Sequence, residues 1–96
     1  MDFLENINDE EKKGLLLLYF GRGLGGGSPV EYCSSIAPRL SDIYDLMLDE
    51  GYLKIIGTRL SGDLNIDNVI LTEKGKNVYS SLENKWLYLN DFLNKL

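Results

Sequence analysis

At 96 residues and 44% apolar side chains, the chain can build one modest core but not two, and it is too apolar to be a solvated tail. A net charge of −5 and a pI near 4.6 oppose sequence-independent attraction to phosphate, which depends on Lys and Arg displacing counterions. With no histidine and a single cysteine, Cys33, one chain cannot form an internal disulfide, a zinc site or a histidine-dependent catalytic centre, so neither enzyme activity nor a cofactor or metal is expected.

The N-terminus carries no charged-then-apolar leader, and the lone cysteine suits a reducing, cytoplasmic setting. The longest apolar run, Leu15 to Phe20, falls far short of the roughly twenty residues of a membrane span, so no membrane partner is expected. A first helix is predicted from Asp9 to about Phe20. Asn8 caps it, and Glu11 stands at the spacing of a capping box. Its Leu15, Leu16, Leu18, Tyr19 and Phe20 cover too wide an arc for a surface helix, so most of it belongs in the core, with Gly14 a mild weakness.

Gly21 to Gly27 breaks that helix, because so many glycines carry a large entropic cost in regular structure. Gly21, Gly23 and Gly26 satisfy G-x-G-x-x-G, but no parallel strand follows to build a dinucleotide site, and Gly27 stands where a phosphate-binding loop needs lysine. A flexible connector or a contact surface without side chains is the expected role. Ser28, Pro29 and Glu31 then form a second helix start, predicting a helix from Pro29 to about Ile36 with Cys33 as a small core residue.

Pro38 ends that helix, and Ser41 with Asp42 starts a third, whose inward face is Leu40, Ile43, Tyr44, Leu46 and Met47. Gly51 closes it. Tyr52 to Gly57, a polar turn from Thr58 to Asp63, and Leu64 to Leu71 predict a β-hairpin. Asp63-x-Asn65-x-Asp67 has the opening spacing of a calcium loop, but Asn68 replaces the turn glycine and Lys74 the bidentate glutamate, so it reads as strand.

Thr72 can cap a last helix on which Tyr79, Leu82, Trp86, Leu89, Leu93 and Leu96 step by three and four, an a/d seam. A helix of about 24 residues extends roughly 36 Å, longer than such a small core needs. A homodimer through residues 82–96, with Leu82, Trp86, Leu89, Leu93 and Leu96 at its interface, is the expectation; the alternative is that this helix folds back on the first. Tyr88, on another side of that helix from Trp86, is the aromatic placed for an exposed contact.

Two segments carry a resemblance. Leu46-Met-Leu-Asp-Glu-Gly-Tyr-Leu-Lys54, followed after the hairpin by Leu71-Thr-Glu-Lys-Gly75, resembles the ending shared by many bacterial, archaeal and phage winged-helix proteins. The resemblance covers this stretch well and the rest loosely. It implies an α+β winged-helix fold: three short helices, a β-hairpin wing and a long C-terminal helix. In that superfamily, which includes the PadR and MarR groups, a terminal helix commonly builds a dimer and the third helix lies in the DNA major groove. The chain is similar, more weakly, to small phage-associated winged-helix proteins of unknown role.

Carried onto this chain, the resemblance implies a homodimeric transcriptional regulator contacting double-stranded DNA through Arg39, Ser41, Tyr44, Lys54 and Arg59, with Arg59 at the wing tip. The departure is in charge. Asp42, Asp45 and Asp49 form an anionic stripe where the family generally offers Arg, Lys, Asn or Gln to base edges. The alternative is an acidic winged-helix interaction module, or a phage-type inhibitor, that uses those aspartates to bind a basic protein partner instead of DNA.

Overall fold

The structure, a computed structural model, describes residues 6–22, 28–33, 40–82 and residue 91. Within them the order is α1 (Asp9–Gly21), β1 (Val30–Tyr32), α2 (Ser41–Asp49), β2 (Leu53–Ser61), β3 (Leu64–Leu71) and α3 (Glu73–Leu82). The three strands form one antiparallel sheet in the order β1-β3-β2. The architecture is α+β.

Helix α1 begins where its sequence says it should. The Asn8 side chain accepts from the Glu11 amide at 2.8 Å, and the Glu11 carboxylate accepts from the Asn8 amide at 3.2 Å, satisfying two end donors reciprocally. The helix runs one residue past its expected end and includes Gly21. The reason lies in α3: a Cβ on Gly21 would collide with the ring of Tyr79, so the glycine permits close approach of the two helices and does not end the first. Residues 23–27 of the glycine loop lie outside the described residues.

Strand β1 replaces the start of the expected second helix. Val30, Glu31 and Tyr32 pair with Val69, Asn68 and Asp67 of β3, so the helix predicted from Pro29 is not formed at residues 30–32. Long-range ladder pairing overrides the local cap signals of Ser28 and Pro29. The rest of that prediction, residues 34–36, lies outside the described residues.

Helix α2 has no side-chain cap at its start, where Leu40 is the capping residue. Its end is strongly specified. Gly51 adopts φ 81°, its amide donates to Leu48 O at 3.2 Å, and the Tyr52 amide donates to Met47 O at 2.9 Å. These are the two bonds of a Schellman motif, which needs a residue tolerant of positive φ.

The hairpin is tighter than predicted. Thr58 to Ser61 are strand and not turn: Thr58 pairs with Asp67, Arg59 with Ile66 and Ser61 with Leu64, leaving Gly62 and Asp63 as the connection. Gly62 takes φ 63°, the conformation a two-residue hairpin turn requires. Between Ile55 and Gly57 the register shifts, and Ile56 is the extra residue of a β-bulge.

The Thr72 hydroxyl accepts from the Gly75 amide at 3.1 Å and so caps α3, as its sequence predicts. The same hydroxyl donates to Gly51 O, and the Thr72 amide donates to Tyr52 O at 3.1 Å. A Cβ on Gly75 would collide with Tyr52 O. The two segments that carry the family resemblance, residues 46–54 and 71–75, therefore meet in space, with the end of α2 locked against the start of α3.

The core is built from α1 (Leu15 to Leu18 and Phe20), α2 (Ile43, Tyr44 and Met47) and the inner sheet face (Tyr32, Leu53, Val69 and Leu71), with Phe20, Met47 and Val69 fully inaccessible. Val78, Tyr79 and Leu82 of α3 pack against it from the side of α1.

Candidate functional site

The solvent face of α2 and the adjoining hairpin carry most of the described residues among those singled out from sequence. Three and four residues apart, Asp42, Asp45 and Asp49 are all exposed on one side of the helix. Leu46 lies among them and is 40% exposed, which corrects its placement on the inward face. The geometry explains this. Ile43, Tyr44 and Met47 fix the buried arc, and Leu46, two residues beyond Tyr44, lies about 200° around the helix from it. The surface is therefore a leucine framed by carboxylates. Glu50 extends it at the helix end, where Lys13 of α1 contacts its carboxylate at 3.3 Å.

Tyr44, expected among the DNA contacts, is not on this surface. It is buried, its ring stacks on Tyr32 with centroids 4.0 Å apart, and its hydroxyl donates to Asp67 Oδ2 at 2.7 Å. Burial, followed by that hydrogen bond and the Asp67 charge, raises the Tyr44 pKa far above the ordinary phenol range. Tyr32 is pushed up to about 12, by burial first and then by the charge of Asp45. Asp67 also accepts from the Thr58 hydroxyl at 3.2 Å, tying α2 to both hairpin strands. The sequence places Asp67 on a strand but not as a partner of Tyr44, yet the signal was present: positions 67, 69 and 71 alternate on one strand, and Val69 and Leu71 are core.

Arg59 lies within β2, three residues before the turn glycine, and not at the tip. Its guanidinium donates to Glu31 Oε2 at 2.6 Å, reaching across β3 to the far edge strand. Glu31 as its partner was illegible while residues 30–32 were read as helix. Both side chains are about half exposed, 50% and 53%, so the pair contributes on the order of 0–1 kcal/mol and Arg59 can be released to another anion. Lys54 is exposed opposite Ile70, and Ser41 is half-buried at the start of α2. Arg39 lies outside the described residues.

Lys74, which the sequence marks only as standing where a calcium loop needs glutamate, donates to Glu50 O at 2.8 Å with its ammonium 4.4 Å from the Tyr52 ring centroid. It thus places a cation at the negative end of α2. Cys33 is buried and forms no disulfide. Of the expected dimer contacts, Leu82 is half-buried against the chain's own core, whereas Trp86, Leu89, Leu93 and Leu96 lie outside the described residues, as does Tyr88.

The chain matches no protein-family model, no curated protein and no solved structure. Its chemistry is therefore read from the site alone. Among the described residues no helix is long and apolar enough to cross a membrane, and no three His, Cys, Asp or Glu side chains gather where a metal ion would be held.

Proposed function

We propose that this chain is a winged-helix interaction module whose α2 face, Asp42, Asp45, Leu46 and Asp49, binds a basic protein partner. The observation that carries this reading is the composition of that face: carboxylates around an exposed leucine, with Tyr44 turned into the core. An anionic helix face repels phosphate and attracts Lys and Arg side chains, while the leucine offers apolar area at the centre of the contact.

The second reading, a homodimeric DNA-binding regulator, is favoured by the succession of α2, glycine-closed helix end and hairpin, which is the order of a recognition helix and wing. On that reading Lys54 and Arg59 bear the phosphate contacts, with Arg59 exchanging Glu31 for the backbone of the duplex.

One pair of assays separates them. Capture from the lysate of the native cell with wild type, with Asp42→Lys/Asp45→Lys/Asp49→Lys and with Arg59→Ala should recover a basic protein with wild type and Arg59→Ala but not with the charge reversal. Anisotropy with a random-sequence duplex pool should show no binding by wild type at about 50 mM salt. Equal capture by the charge-reversed variant refutes the protein-binding reading. Duplex binding by wild type that weakens with salt and is lost in Arg59→Ala establishes the DNA reading instead.

A further inference from the structure

The two edges of the sheet differ. β1 is three residues long, and its Glu31 carbonyl already accepts from the Tyr19 hydroxyl of α1 at 2.9 Å. β2 is nine residues long, pairs with β3 on one side, and meets no strand on the other among the described residues. An open edge of that length presents a row of backbone N–H and C=O groups to which an extended chain can add.

The bulge at Ile56 sorts the side chains along this edge. Lys54 lies opposite Ile70 and Arg59 opposite Ile66, four positions apart on β3, so the two cations share one face of the sheet about 13 Å from each other. Ile55 and Leu60, opposite Val69 and Asn65, share the other face, and Leu60 is 72% exposed. Without the extra residue, positions 54 and 59 would face opposite ways, because they are an odd number apart on β2. The edge thus carries cations on one face and exposed apolar side chains on the other, and β2 contains no carboxylate. Lys54 forms no ion pair among the described residues, and the pair of Arg59 with Glu31 is half exposed and exchangeable.

We propose that the free edge of β2 accepts an acidic, amphipathic segment of a partner protein as a fourth strand. Carboxylates four residues apart on that segment meet Lys54 and Arg59, and its apolar face meets Ile55 and Leu60. Charge complementarity selects this occupant over a second copy, because β2 paired with itself would line the joint with four cations and no carboxylate. The edge uses none of Asp42, Asp45, Leu46 and Asp49, so it is a second contact surface, opposite in charge to the α2 face.

Three heptapeptide probes test the assignment by amide NMR titration of the full chain. They are acetyl-Ile-Glu-Val-Thr-Val-Glu-Ile-amide, the same peptide with Lys for both Glu, and the Glu peptide N-methylated at its central Val-Thr-Val, which blocks both of its edges. The Glu peptide should give saturable shifts centred on Leu53–Ser61, the N-methylated form should give none, and the Lys peptide should bind at least about tenfold more weakly. Lys54→Glu/Arg59→Glu changes two exposed side chains and should reverse the preference between the Glu and Lys peptides. Equal affinity for those two peptides, equal binding of the N-methylated form, shifts centred elsewhere, or no saturation at millimolar concentration would each overturn it. So would concentration-dependent shifts of Leu53–Ser61 without peptide, which would assign the edge to a second copy, or their response to a duplex pool and not to the Glu peptide, which would assign it to DNA.

Discussion

Replacing Tyr44 with Phe removes one oxygen from the interior and leaves nearly everything else in place, which makes it a sharp test of the role assigned to this side chain. The phenol ring stacks on Tyr32 and lies 6.0 Å from Phe20, contacts a phenylalanine preserves. What disappears is the 2.7 Å hydrogen bond to the Asp67 carboxylate. Hydrogen bonds to charged groups contribute roughly 1.5–3 kcal/mol. Asp67 is half-buried and keeps its bond from Thr58, so water can partly restore its shell and the expected cost lies near the lower bound. About 1.5 kcal/mol in a domain of this size lowers Tm by roughly 6–12 °C. Urea unfolding of wild type, Tyr44→Phe, Asp67→Asn and the double variant should show a coupling of about 1 kcal/mol between the two positions. If Tyr44→Phe keeps wild-type stability and the cycle shows no coupling, the hydroxyl does not hold α2 to the hairpin. Loss of duplex binding by that stable variant would then return Tyr44 to the contact surface.

Two further outcomes follow from the same packing. Gly75→Ala should destabilise by about 1–3 kcal/mol in urea unfolding despite the better helix propensity of alanine, because the new methyl meets Tyr52 O, a backbone atom that cannot rotate aside; a gain in stability would show that the end of α2 and the start of α3 are not locked together. Alkaline pH should unfold the protein. Tyr32 has a folded pKa of about 12 against an ordinary 10.0, so its neutral form adds stability that is complete below pH 10 and lost as pH rises through 12, roughly 2–3 kcal/mol in all. Tyrosinate absorbance and circular dichroism should change together in that window, whereas independent tyrosine titration with the fold intact would refute it.

Local signals located the elements whose ends are set locally. The Asn8–Glu11 box, the Gly51 helix end and the Thr72 cap are short-range devices, and each is formed by the residues that announce it. Strand β1 was illegible because three residues have no periodicity, and its existence depends on β3, more than thirty positions away. The hairpin turn was overestimated because Thr58, Arg59 and Ser61 are polar for another reason: they lie on a sheet edge facing water, where polarity marks exposure and not a bend. At the site, the aspartate stripe was readable from helical spacing, but the pairing of Arg59 with Glu31 required knowing that their strands share a sheet.

The lock between α2 and α3 also bears on the order in which the chain folds. Gly51 and Thr72 are joined across 21 positions, and Glu50 and Lys74 across 24, with the hairpin itself filling the interval. These contacts close over fewer positions than those of α1 with α3 or β1 with β3, so the entropic cost of bringing the ends together is the smaller one. Helix α1 and strand β1 must instead return over longer stretches of chain to find α3 and β3. On loop closure alone, residues 41–82 should associate before the N-terminal third docks, and the most slowly exchanging amides should then lie on either side of the hairpin.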